Sequence, residues 1–168
     1  MKRQQGQALR GALAMVAFWI AVMGALYWAM DRWQQPRAAR VTATGELRVP
    51  RHADGHFRIA GAVNGEPVMF LVDTGASVVS VSAALAQRAG LAGGERARFH
   101  TANGVREGRM VRAGRITLQG GLAVDNLRVG VGLELGDDTQ ALLGQNFLQH
   151  FELRMDRDAL LLRPRAKM

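Results

Sequence analysis

Val68-Met69-Phe70-Leu71-Val72-Asp73-Thr74-Gly75-Ala76-Ser77 is the stretch from which the rest of the chain is read. Five apolar residues drive toward an interior and stop on an acid. A carboxylate at the end of a buried strand is costly unless it is hydrogen-bonded or put to use. Gly75 withholds a Cβ where another backbone or a ligand must come close. Ser77 is expected to orient the carboxylate through a hydrogen bond. The segment therefore predicts a strand that hands Asp73 to a tight loop.

Upstream, Phe57-Arg58-Ile59 opens an extended run to Val63, and Asn64-Gly65 is a strong hairpin signal before the return strand Val68–Val72. Leu47 and Val49 alternate with charged residues and predict one more strand. Downstream, Val78, Val79 and Val81 read as a short strand. Ser82 is the expected N-cap of a helix over Ala83–Ala89, stopped by Gly90. Residues 96–101 are expected to be extended. Ala102-Asn103-Gly104 marks a second tight turn, and Val105–Leu118 one long bent strand. Gly120-Gly121 turns the chain into Leu122–Val131, with an interruption expected near Asp125-Asn126. Ala141-Leu142-Leu143-Gly144 reads as a short buried strand, and Gln145–His150 as a brief helix with Phe147 and Leu148 turned inward. Phe151–Met155 and Leu160–Arg163 predict a final hairpin around Asp156-Arg157-Asp158, with regular structure ending at Pro164. Many short strands and one or two short helices make a mainly-β domain over residues 46–164, followed by a tail at 165–168.

Asp73-Thr74-Gly75-Ala76-Ser77 after an apolar strand resembles the active-site loop of retropepsin-like aspartic proteases of the single-lobe type. Two further features sit in the matching order. The hairpin tip Ala102-Asn103-Gly104-Val105 stands where that family carries its flap. Leu142-Leu143-Gly144, leading into a short helix, stands where the family packs a hydrophobic-hydrophobic-glycine segment behind the loop. The likeness covers roughly residues 46–163. It implies a single-lobe acid protease fold, with Asp73 catalytic and Thr74 bracing two loops across a dimer. Gly75 would line the substrate backbone, and Ala76 and Ser77 complete the loop.

The implied chemistry needs two carboxylates. Close like charges do not both ionise cheaply, so the pair shares a proton. One member activates water and the other polarises the scissile carbonyl. The chain has one Asp-Thr-Gly, so a C2 homodimer is expected to supply the second acid from its symmetry mate. The expected partner besides the second copy is a peptide or protein substrate, and no cofactor or metal is required. His52, His56, His100 and His150 lack zinc spacing, and Asp137-Asp138 lacks calcium-loop spacing. Asp125, Asp156 and Asp158 read as turn residues. Two other readings keep the same fold: a peptide-binding module without hydrolysis, and a structural domain whose Asp73 only caps a turn.

The formal charge of +8 does not point to nucleic acid. Residues 1–40 hold six basic residues and one acid, a net +5. Residues 41–168 hold 16 basic and 13 acidic residues, a net +3 without a Lys/Arg block. Arg96, Arg98, Arg106, Arg109, Arg112 and Arg115 flank the flap hairpin as solvent-facing positions, with acidic peptides as the sharper reading. The absence of cysteine removes disulfides and thiolate chemistry.

Residues 11–30, GALAMVAFWIAVMGALYWAM, carry no charge. Twenty residues at about 1.5 Å each span a hydrocarbon core. Tyr27, Trp28 and Trp33 fall where an interfacial aromatic belt sits. The run exceeds the apolar part of a signal peptide, so a transmembrane anchor is expected. Residues 1–10 are then a cytoplasmic tail and 31–45 a linker. Lys2, Arg3 and Arg10 favour an N-terminus inside and a periplasmic domain on the inner membrane.

Overall fold

A computed structural model describes residues 2–34, 38–42, 45–101, 104–133 and 139–165. The chain divides into two compact units, Met1–Pro36 and Arg37–Met168.

The first unit is one helix, α1 (Lys2–Gln34). It contains a 20-residue stretch, Leu13–Arg32, long and apolar enough to cross a membrane, with mean hydropathy 1.9. The helix runs past the expected end of the span and takes residues 31–34 from the expected linker. Nothing from Asp31 to Gln34 breaks a helix, and the Arg32 guanidinium lies 4.9 Å over the Trp28 ring one turn earlier.

The second unit is mainly β. A four-stranded sheet has the order β1 (Arg40–Val41), β2 (Leu47–Pro50), β11 (Ala159–Pro164), β10 (Phe151–Met155). Strand β1 is a further correction to the linker: Arg40 and Val41 pair with Arg48 and Leu47. Seven strands form the larger sheet: β3 (Arg58–Val63), β4 (Glu66–Val72), β9 (Gln140–Leu143), β5 (Val79–Val81), β8 (Ala123–Val131), β7 (Gly104–Leu118) and β6 (Glu95–Thr101). Strand β3 also pairs with the end of β7, so six of these strands close into a barrel and β6 extends from it.

Local chemistry explains the joints. Asn64 and Gly65 both take positive φ (50° and 88°), which a two-residue hairpin turn of the primed type requires. The Asn64 side chain then serves the closure. Its Oδ1 accepts from Arg115 N–H, and its Nδ2 donates to the Ala89 carbonyl. Ser82 caps α2 (Ala83–Arg88) by accepting from Leu85 N–H at 3.1 Å. Gly90 follows in the left-handed region and ends that helix. Strand β8 spans the interruption expected near Asp125-Asn126, which is confined to one residue: Asn126 takes φ 55° and drops out of the pairing with β7, while the register is kept on both sides. One core joins both sheets: Leu47, Val49, Leu160 and Leu162 meet Ile59, Phe70 and Leu143, with Leu85 from α2 and Phe147 and Leu148 from α3 (Gln145–Leu148).

Candidate active site

Strand β4 positions the acid. Its residues alternate, with Val68, Phe70 and Val72 buried, so the strand is held by the core to its last residue. It pairs in parallel with β9, Leu71 against Leu142 and Val72 against Leu143. The pairing continues one step further, because Asp73 N–H donates to the Leu143 carbonyl at 3.2 Å. The chain then turns: Ala76 N–H returns to the Asp73 carbonyl at 3.3 Å.

The Asp73 carboxylate is half-buried, and its Oδ1 accepts from Gly75 N–H at 2.8 Å. This bond takes the place expected for Ser77. The Ser77 side chain is exposed and makes no hydrogen bond to Asp73. Gly75 has a local reason of its own: a Cβ there would stand 3.2 Å from Asp73 Oδ1, crowding the carboxylate. No hydrogen bond or ion pair joins Asp73 to another described carboxylate or histidine. One chain therefore presents one acid at this loop.

The loop is fastened from behind by the first turn of α3. Backbone N–H groups at the start of a helix have no partner within it. Here Gln145 N–H donates to the Ala76 carbonyl at 2.8 Å, and Asn146 N–H to the Ser77 carbonyl at 3.1 Å. The Gln145 side chain donates to the Thr74 carbonyl at 3.0 Å. Asn146 Oδ1 accepts from Val79 N–H at 2.9 Å, while its Nδ2 donates to the Arg128 carbonyl at 2.7 Å. Gly144 lets these groups come together. A Cβ on it would fall 2.4 Å from the Val78 carbonyl carbon and oxygen and 2.9 Å from the Ala76 oxygen. Gln145 and Asn146 were not singled out by sequence reasoning; the available signal was a polar pair directly after Leu-Leu-Gly.

The structure thus brings Asp73, Thr74, Gly75, Ala76 and Ser77 together with Leu142, Leu143 and Gly144. Leu143 and Gly144 are buried and Leu142 is half-buried. Of the flap candidates, Ala102 and Asn103 lie outside the described residues. Gly104 and Val105 open β7, paired with Thr101 and His100 of β6, and Val105 is exposed. The Thr101 hydroxyl donates to the Gly104 carbonyl at 2.8 Å. Arg96, Arg98, Arg106, Arg112 and Arg115 are exposed, whereas Arg109 is half-buried and donates to the Gly93 carbonyl. Asp137 and Asp138 lie outside the described residues. Among those described, no group of three or more His, Asp or Glu side chains is placed to hold a metal ion.

A second polar cluster lies beside the strand that carries the acid. Val72 N–H donates to the Phe57 carbonyl, and the loop before Phe57 gathers His52, Asp54, His56 and Arg58. Partial desolvation pushes the Asp54 carboxyl upward. Hydrogen bonds from His56 N–H, Arg58 and His52 outweigh that and hold it well below the usual carboxylate range.

Comparisons with known proteins follow this geometry. A family model described as gag-polyprotein putative aspartyl protease matches residues 59–150. The crystal structure of a retropepsin-like aspartic protease from Rickettsia conorii superposes with a TM-score of 0.59 at 32% identity. That match covers 70% of this chain and 89% of the other. An uncharacterized protein of Rickettsia prowazekii, RP867, is 33% identical over 125 residues, which are 72% of this chain. The match takes in 52% of that relative, so the chain spans about half the length of the curated protein it matches.

Proposed function

This chain belongs to the retropepsin-like aspartic protease family, and from that premise we propose that it is a membrane-anchored endopeptidase whose acid pair is assembled from two copies. The carrying observation is a single carboxylate, Asp73, presented at the end of a buried strand on a loop fastened by α3. In the dimer, each copy contributes its Asp73. The pair shares one proton, because two ionised carboxylates in contact repel strongly. The ionised member takes a proton from water as it attacks the scissile carbonyl. The protonated member donates to the carbonyl oxygen, and a proton then passes to the leaving amine. Atoms balance with water as the only co-substrate.

The remaining loop residues have supporting roles in this reading. Gly75 N–H fixes Asp73 Oδ1, and Thr74, exposed beside it, faces the second copy as the brace between loops. Ala76 and Ser77 supply the carbonyls that α3 grips. Gly104 and Val105, at the start of β7, close over the substrate as part of the flap. Helix α1 anchors the chain in the inner membrane through residues 11–30, with the N-terminus inside and the protease domain on the periplasmic side. The apolar stretch Leu13–Arg32 supports the anchor, and Lys2, Arg3 and Arg10 support the orientation.

The test uses the full chain in detergent micelles against a peptide library, beside Asp73→Asn. Cleavage by the wild type, reduced at least about a thousandfold in the variant at unchanged melting temperature, is the expected result. Equal cleavage by both proteins refutes the assignment. So does the absence of cleavage, at acid and neutral pH, by a wild type shown to be folded and dimeric.

A further inference from the structure

The face of the larger sheet that carries Asp73 can be followed strand by strand. Leu71 meets Leu142, Leu142 meets Ser80, Ser80 meets Gly130 and Gly130 meets Met110. Residues directly opposite on neighbouring strands share a face, so these form one row across β4, β9, β5, β8 and β7. Asp73 lies two residues beyond Leu71, Arg128 two before Gly130, and Arg112 two beyond Met110. With the strand directions as they are, all three steps go the same way along the sheet. Side chains two apart in an extended chain stay on one face. The acid and the two arginines therefore share a face and a level.

Arg112 and Arg128 are directly opposed in the register, and both are exposed. Like charges facing each other across a strand pair are destabilising. Arg112 turns aside and donates to the Asn126 carbonyl at 3.2 Å. The Arg128 guanidinium has no ion-pair partner among the described residues. Its backbone is fixed nonetheless. The Asn146 amide accepts from Val79 N–H and donates to the Arg128 carbonyl, tying β8 to the strand that follows the Asp73 loop. Both arginines line an open cavity of about 520 Å³, together with Met110 and Glu95. Among the described residues no ion pair joins Glu95 to either arginine. Two arginines against this one acid leave the lining a net charge of +1.

We propose that Arg128, backed by Arg112, determines specificity by reading a side-chain carboxylate of the peptide substrate. The proposal rests on the peptidase reading above and gives it a substrate class: chains with a glutamate or aspartate set back from the scissile bond. Strands β9 and β5 stand between β4 and β8, so three strand spacings separate the acid from Arg128. At about 4.8 Å each, they set the two backbones about 14 Å apart. An extended peptide advances about 3.4 Å per residue, so the carboxylate stands roughly three to five residues from the scissile bond. A guanidinium matches a carboxylate with two parallel N–H bonds, which a lysine at either position would not supply. Arg112 adds a second positive charge behind the first. Glu95, on the same cavity, repels a carboxylate that strays toward β6 and confines it to the arginine side. With two copies, one Arg128 lies to each side of the acid pair, and the preference holds on both sides of the bond.

The test uses full chains in micelles and peptides blocked at both ends, built on one cleaved sequence. Glutamate, glutamine or lysine is placed in turn from the second to the seventh residue on either side of the scissile bond. At the third to fifth, glutamate is expected to raise kcat/KM about threefold over glutamine and about tenfold over lysine, mainly through KM. Arg128→Glu should reverse the order and favour lysine over glutamate by about tenfold, which a merely structural role for Arg128 would not do. A neutral peptide with a free C-terminal carboxylate at the fourth residue separates chain ends from side chains. It should be cleaved no faster than the glutamine peptide, and a gain equal to that of glutamate overturns the side-chain reading. Binding is measured separately, with Asp73→Asn chains and fluorescent libraries bearing glutamate or lysine. Affinity should follow the same order, and Arg128→Glu in that background should reverse it. Equal affinity for both libraries, equal cleavage at every position, or an order that Arg128→Glu leaves unchanged overturns the proposal. Ordered binding without hydrolysis by the wild type refutes the peptidase reading and leaves the arginine pair, and hydrolysis without ordered binding does the reverse.

Discussion

Alanine at Gly144 tests whether the acid-bearing loop is held by backbone contact. The residue has φ −86° and ψ 178°, an extended conformation open to any amino acid, so the substitution brings no backbone strain. The obstacle is space. The new Cβ would lie 2.4 Å from the carbonyl carbon and oxygen of Val78 and 2.9 Å from the Ala76 oxygen. All three are main-chain atoms and cannot rotate aside. Overpacking of this kind costs about 1–3 kcal/mol. Moving the loop off α3 also weakens the bonds from Gln145 N–H to Ala76 and from Asn146 N–H to Ser77, each about 1 kcal/mol. The smaller entropy of an unfolded alanine offsets about 0.4–1 kcal/mol. The net is a loss of about 2–4 kcal/mol. At about 3–4 °C per kcal/mol for a domain of this size, the melting temperature should fall by roughly 6–16 °C. Thermal melts of full-length wild type and Gly144→Ala by circular dichroism measure this directly. Gly114→Ala is the control, since a Cβ there meets only Asn64 Oδ1 at 3.4 Å, and it should stay within about 1 kcal/mol of wild type. A Gly144→Ala melt that coincides with wild type refutes the contact argument, and with it the view that α3 sets the position of Asp73.

Two further outcomes follow from the same contacts. Asn146→Ala removes one acceptor and one donor, from Val79 N–H and to the Arg128 carbonyl, and should lower stability by about 2 kcal/mol in a denaturant titration. Asp54→Asn tests the acid side of the pH profile. Its folded carboxyl sits below the unfolded value of about 3.9, so its stabilisation is fully present above that pH and lost as pH falls toward the folded value. The melting difference between wild type and Asp54→Asn should hold constant from pH 7 to about 5 and shrink below about 4; a gap that widens with acid contradicts the His52–Arg58 arrangement.

Local signals in the sequence carried most of the fold. The Asn64-Gly65 turn, the Ser82 cap and the alternation in Val68–Val72 are each decided by residues within a few positions of one another, and the structure has them. Asn126 shows the limit: an asparagine that tolerates positive φ can sit inside a strand when its pairing with β7 holds the register on either side. The closure of β3 on β7 was not legible, because it depends on Asn64 meeting Arg115, 51 residues away. At the site, the run from Asp73 to Ser77 stood out as an apolar strand ending on an acid, and the Leu142-Leu143-Gly144 segment by its likeness to the family pattern. The hold of Gln145 and Asn146 on the loop did not, because a polar pair at a helix start looks the same whether it faces water or a neighbouring loop. Ser77 was expected to orient Asp73, but Gly75 N–H is nearer in the turn and takes that bond.

The parallel pairing of β4 with β9 also governs when the loop can exist. Met69 meets Gln140, so the two strands are separated by about seventy residues of chain. At a synthesis rate of about 5–20 residues per second, β4 waits roughly 4–14 s on the ribosome for its neighbour, and α3 emerges later still. A growing chain holds Asp73 on a strand with no parallel partner and a loop with nothing behind it. Any product truncated before Gln140 stays in that condition. The acid is placed only when its neighbouring strand and helix have followed, a delay that topology alone imposes.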